Sequence, residues 1–195
     1  RAAAAPANAG LAALVIMLAS GAVYGRVLVE ISVVAPGTAR VMLPPVALML
    51  VLCAAIAVGL WAGVRGQQTG QAEHGNPADL RVAVVFAALY AVISFVVAAV
   101  QAEFGVDALY PVAMLSGLTD MDAITLSSSQ LVAHGLLEAD AAWRVILVAS
   151  LSNLVFKAGM VAAIGGRALF VRVAPAFGLA LAGGVLILRF WPVAA

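Results

Sequence analysis

Long apolar runs, interrupted at a few places by Pro, Gly and short polar tracts, set the pattern of this chain. Six runs are long enough to cross a bilayer, given that a spanning helix needs about 20 predominantly apolar residues. The first extends from about Gly10 to Val34 and is ended by Pro36-Gly37. The second, Pro45 to Ala62, stops at Gly63 and the polar tract from Arg65 to Asp79, a hydrophilic loop that holds His74. The third opens on Asn76-Pro77-Ala78-Asp79 and continues to about Glu103, with Gly105 as its stop. Asn as N-cap, Pro at the first helical position and an acid in the first turn make a strong helix start. The fourth, about Val106 to His134, contains Pro111, Gly117 and a polar stretch. A broken or unwound helix is expected there. The fifth starts after Asp140, an N-cap candidate, and ends at Gly165-Gly166, read as a helix C-cap. The sixth runs from Pro175 to about Trp191. The pattern predicts an all-α, polytopic helical membrane protein of about six transmembrane segments, one of them broken.

A weak internal repeat overlies this pattern. Val15-Ile16 and Ala19-Ser20 match Val145-Ile146 and Ala149-Ser150, and Pro45 and Trp61 match Pro175 and Trp191, all at one offset without a gap. Transporter folds often carry such duplications. On this reading residues 1–195 form a single, partial helical membrane domain. Residues 1–64 are the end of a first repeat half, 65–78 a polar loop, and 79–195 the second half. Counterparts of the third and fourth segments are then expected upstream of Arg1.

Composition narrows the class. The 195 residues are 65% hydrophobic and 10% charged, with a mean hydropathy of +1.14. Soluble domains run about 45–50% apolar and about 25% charged, and a membrane barrel shows short alternating segments instead of long runs. A formal net charge of +1 gives no argument for nucleic acid. Cys53 is the one cysteine, so no disulfide or cysteine metal cluster can form within the chain. No cofactor motif is visible and no cofactor is expected. With six spans, one face carries Arg1, Arg65, Arg81, Arg144 and Arg189, the other Arg40, Arg167 and Arg172. Positive-inside counting then favours cytoplasmic termini.

Chemistry concentrates in the fourth segment. Leu115 to Gln130 puts Asp120, Asp122 and six hydroxyl side chains into otherwise apolar sequence. A charge at membrane depth costs about 2.5–3.5 kcal/mol on insertion scales and usually faces a bundle interior or a water-filled cavity. Residues two apart point about 200° apart on a regular helix, so the two acids converge only if the helix is interrupted. Thr119, Thr125 and Ser127 add oxygens suited to a hard cation or a proton relay, with Asp120 and Asp122 as the ligands if a cation binds. The alternative is that the acids cap a broken helix and pair with a basic residue. On segment five Ser150, Asn153 and Lys157 form a polar stripe on one face. Lys157 lies well inside its span, and the acids of segment four are its expected partners. Arg26 and Glu30 on segment one are i,i+4 neighbours and form a secondary polar pair, read as structural. Tyr90, Ser94 and Gln101 read as interhelical hydrogen-bonding positions.

Gly117-Leu118-Thr119-Asp120-Met121-Asp122-Ala123-Ile124-Thr125-Leu126-Ser127 resembles a known family, as do Ser152 to Gly159 and the Asn76-Pro77 start. It is similar to the C-terminal membrane domain, of unknown function, of bacterial MgtC/SapB-like proteins. The resemblance covers nearly the whole chain and implies a helical domain of the bacterial inner membrane. In that family a preceding part carries a Gly and Ser-Ser-Thr-Ala motif, which is absent here.

The expected function is transport, as a secondary transporter or channel moving a small ion or solute. Asp120 and Asp122 would form the site, Lys157 the counter-charge, and Asn153, Thr119, Thr125 and Ser127 neutral ligands. A second expectation is a non-transporting regulatory or assembly subunit whose buried charges specify helix packing. An intramembrane enzyme is the weakest, since no intramembrane-protease Gly-x-Gly-Asp sequence occurs. Expected partners are the lipid bilayer, an N-terminal portion of the same protein or another membrane subunit, and a second copy of the chain.

Overall fold

A computed structural model describes residues 6–65, the isolated helical positions 84, 87, 88, 91, 92 and 95, and residues 109–192. The elements are α1 (Pro6–Val34), a 3-10 turn (Pro36–Thr38), α2 (Ala39–Val64), α3 (Leu109–Thr119), α4 (Met121–Ala133), α5 (Ala139–Ile164) and α6 (Gly166–Phe190). Among the described residues every element is helical. Four helices, α1, α2, α5 and α6, are long and apolar enough to cross a membrane. Apart from those six positions, the third predicted span, with Tyr90, Ser94 and Gln101, lies outside the described residues, as does the loop residue His74. The fourth is split into α3 and α4, each shorter than the roughly 20 residues of a full crossing.

Three boundaries differ from the sequence reading, the first being the start of α2 at Ala39, not Pro45, which lies with Pro44 inside the helix. The N-cap of α5 is Glu138, not Asp140. Asp140 sits in the first turn, where its carboxylate accepts from Trp143 Nε1 at 3.0 Å and Arg144 Nε at 2.8 Å. Those side chains occupy the oxygens that capping would require. The last helix begins at Gly166, not near Pro175. Gly165 ends α5 as its C-cap, with its N–H on the Val161 carbonyl, and Gly166 turns the chain at φ +74°. A side chain would be strained in that left-handed conformation, so glycine permits an α5–α6 connection without a loop. Pro175 is accommodated inside α6.

Helices α1 and α2 pack as one hairpin and α5 and α6 as another, and the two hairpins share a core. Trp143, Tyr24, Phe177, Met17 and Ile31 are among its buried side chains. Val29, Val33, Val51 and Phe190 are exposed on the outside, an apolar periphery that suits a bilayer. Helix α5 runs antiparallel to α1, since Ser20 lies beside Lys157 while Tyr24, further along α1, shares a cavity with Ser150. Helices α2 and α6 are likewise opposed. Leu52 meets Gly183, and the later Val64 reaches Gly10 together with the earlier Arg172. The matched serines Ser20 and Ser150 have the same local geometry, each donating to the carbonyl four residues back, Ile16 and Ile146, at 2.8 Å.

Candidate functional site

The expected interruption of segment four falls at Asp120. Its backbone leaves helical geometry at φ −143°, ψ 116°, after its N–H has donated to the Ser116 carbonyl at 2.7 Å. The Asp120 carboxylate accepts the Asp122 N–H at 2.9 Å and so caps α4. On the other side of the break, Asn153 Nδ2 donates to the Gly117 carbonyl at 2.9 Å. Two backbone groups that a continuous helix would pair are thus satisfied by side chains, as membrane depth demands. Gly117 also lets α3 lie directly on α5, where a Cβ would come within 2.6 Å of Ala149 Cα. Small residues permit such close helix contacts in membranes.

The break delivers Asp122, in the first turn of α4, to α1. Arg26 Nη2 forms an ion pair with Asp122 Oδ1, and Arg26 Nε lies 3.9 Å from Glu30 Oε1. Glu30 stands against Asp122, so two carboxylates share one guanidinium. The side chains differ in exposure, 55% for Arg26, 31% for Asp122 and 15% for Glu30. Glu30 Oε2 is buried without a hydrogen-bond partner among the described residues.

This corrects the expected partner of Lys157. Its ammonium contacts Ser20 Oγ at 3.5 Å, and no carboxylate lies within ion-pair distance of it among the described residues. The reason is register. Lys157 crosses to α1 at the level of Ser20, whereas Asp122 meets α1 at Arg26, about 9 Å further along the axis. Arg26, read as a partner for Glu30 alone, supplies the counter-charge instead.

Asp120 is exposed and serves as the cap. Thr125 is buried, but its hydroxyl donates to the Met121 carbonyl at 2.8 Å. Ser127 is exposed and donates to the Ile124 carbonyl at 3.2 Å. The Thr119 side chain lies outside the described atoms. The structure therefore joins Asp122 to Arg26 and Glu30, and Asn153 to the break. It does not gather both acids and the hydroxyls around one point. Among the described residues no group of three or more His, Cys, Asp or Glu side chains is placed to hold a metal ion.

Beside the break lies a cavity of about 10 Å³, bordered by Met121 and by Ser20, Tyr24, Ser150, Asn153 and Lys157. That is room for roughly one water. The predicted stripe of Ser150, Asn153 and Lys157 does line it. Tyr24 is missed by the sequence reading, although Ser20, Tyr24, Val27 and Ile31 mark one buried face of α1. The buried Tyr24 hydroxyl lies near Ser150 without a well-formed hydrogen bond among the described residues. A second, larger cleft of about 490 Å³ opens between α1, the end of α3 and the distal half of α5. Ser20, Asn153 and Lys157 line both spaces and so partition them.

Known proteins place this arrangement in a family without assigning it chemistry. An uncharacterized protein of Aquifex aeolicus (strain VF5) is 34% identical over 128 residues, 66% of this chain and 55% of that protein. The chain therefore spans about half the length of that relative. No solved structure matches. The family model described as "Domain of unknown function (DUF4010)" matches residues 1–165, so the chain belongs to that family.

Proposed function

We propose that this protein is a secondary transporter or channel of the bacterial inner membrane that moves a small ion or solute past the Asp120 break. The observation that carries the reading is the Asp122–Arg26–Glu30 group held by that break. Two carboxylates on one guanidinium leave a negative charge unbalanced, and a proton or a monovalent cation would balance it. Intramembrane acids that face a bundle interior mark ion pathways and proton relays. Support also comes from the opposed directions of the two hairpins, which, with the sequence matches between them, fit an inverted repeat. Transporters of that kind carry interrupted helices and bind substrate between the repeats. The likeness of the Gly117 to Ser127 stretch to MgtC/SapB-like proteins belongs to this reading, as does a longer natural protein or a partner subunit. An α5 opposed to α1 requires an odd number of crossings between α2 and α5. The six-span count, which would make α1 and α5 parallel, therefore gives way here to five, with the third segment crossing and the α3–α4 pair re-entrant.

Reconstitution tests it. Proteoliposomes of the purified chain should pass protons, Na⁺ or K⁺ faster than protein-free vesicles, and Asp122→Asn should abolish that flux. Equal flux with and without protein, or an unimpaired Asp122→Asn variant, would refute the proposal. A second reading, a non-transporting assembly subunit, is favoured by the capping role of Asp120. It requires normal assembly and no flux.

A further inference from the structure

Among the described residues the larger cleft has one charged side chain and a wall of hydrocarbon. Ile16 and Ala19 on α1, Leu118 at the end of α3, and Phe156, Met160 and Ile164 on α5 form most of it. At about 490 Å³ it falls within the roughly 300–1,000 Å³ typical of small-molecule sites. Its polar residues are Ser20, Asn153 and Lys157.

The donors there are incompletely used. Ser20 gives its own hydrogen to Ile16 and can only accept from Lys157. The ammonium carries three N–H donors, and 3.5 Å is a long contact for the one it makes. Asn153 spends one of its two amide hydrogens on Gly117 and retains the other. No acid of the described chain faces Lys157, because Asp122 and Glu30 are engaged with Arg26. A charge at this depth needs a partner. The one cation and one amide donor match the two oxygens of a carboxylate, while a phosphate dianion would want more positive charge. From Asn153 to Ile164 the cleft follows about 16 Å of α5, lined with side chains that suit an alkyl chain.

From this geometry we infer that the cleft is a binding site for an amphipathic monocarboxylate, its carboxylate on Lys157 and Asn153 and its alkyl chain along α5 towards Ile164. The inference concerns binding and is independent of the transport reading, so failed flux leaves it untouched.

Equilibrium dialysis of the detergent-purified full chain against radiolabelled octanoate tests it directly. Saturable binding is expected, at least ten-fold weaker in Lys157→Met and partly retained in Lys157→Arg. Ile164→Trp, which shortens the alkyl channel, should weaken octanoate more than butyrate. Where Lys157→Met does not fold, a competition series on the wild-type chain decides. Unlabelled octanoate should displace the label, while octanol, octylamine and inorganic phosphate should not. No saturable binding, undiminished binding in Lys157→Met, or displacement by octanol as effective as by octanoate would each overturn the assignment.

Discussion

Arg26 of α1 and Asp122 of α4 are paired across the bundle, and the pair exists because Asp120 interrupts the helix two residues earlier. A continuous helix through this stretch would lack the cap that starts a new turn at Met121. The charged site and the break are one feature.

A double-mutant cycle measures that pair. Exposed ion pairs contribute about 0–1 kcal/mol, and removing one partner of a fully buried pair costs about 3–5 kcal/mol. With Arg26 55% and Asp122 31% exposed, either single change should cost an intermediate amount, about 1–2 kcal/mol. Arg26→Met with Asp122→Leu should recover most of that loss when the cycle is run in a Glu30→Gln background, where no carboxylate is stranded. Unfolding in detergent supplies the four stabilities. Strictly additive single effects would show that the two residues do not interact.

Gly117→Ala should destabilise by about 1–3 kcal/mol, the range for overpacking, because the new methyl meets the Ala149 backbone, which cannot rotate away. Gly159→Ala, with open space around it, should instead stabilise by about 0.5–1 kcal/mol through helix propensity. Thermal melts of the two variants side by side check this. Equal behaviour would mean that α3 does not lie on α5 as described.

The interruption was legible because its cause is local. Gly117, two acids and a run of hydroxyls compete with the helix wherever they occur. Membrane character was legible for the same reason, from run length alone. The partner of Lys157 was not, since pairing depends on the register of α1 against α4 and α5, about which periodicity within one helix says nothing. Helical spacing did find the Ser150, Asn153 and Lys157 face. It gave no indication that the opposite wall would be Ser20 and Tyr24, residues that read as ordinary packing positions. The repeat matched Ser20 with Ser150, yet their proximity to one cavity follows only from the antiparallel approach of their helices.

Asp120 separates capping from ion binding. Asn and Ser cap a helix about as well as Asp, while Ala costs about 0.5–2 kcal/mol. Asp120→Asn and Asp120→Ser should therefore unfold at nearly the wild-type temperature, and Asp120→Ala should fall below them. If Asp120 only caps, the Asn variant also keeps full flux. A stable Asp120→Asn protein that had lost flux would make the charge itself functional and return Asp120 to the ion site.

The last prediction contrasts two polar groups at the same small cavity. Asn153 holds the freed Gly117 carbonyl, so Asn153→Ala leaves a buried acceptor unpaired and should cost about 1–3 kcal/mol. The Tyr24 hydroxyl has no well-formed partner among the described residues, so Tyr24→Phe removes an uncompensated buried group and should be neutral or stabilising. The contrast disappears if the cavity holds a water that bridges Tyr24 and Ser150, since the hydroxyl is then satisfied and its removal also costs stability. Melting temperatures of Tyr24→Phe, Ser150→Ala and the double variant decide. Independent effects fit a dry cavity, whereas a loss in either single variant that the second does not deepen identifies the bridging water.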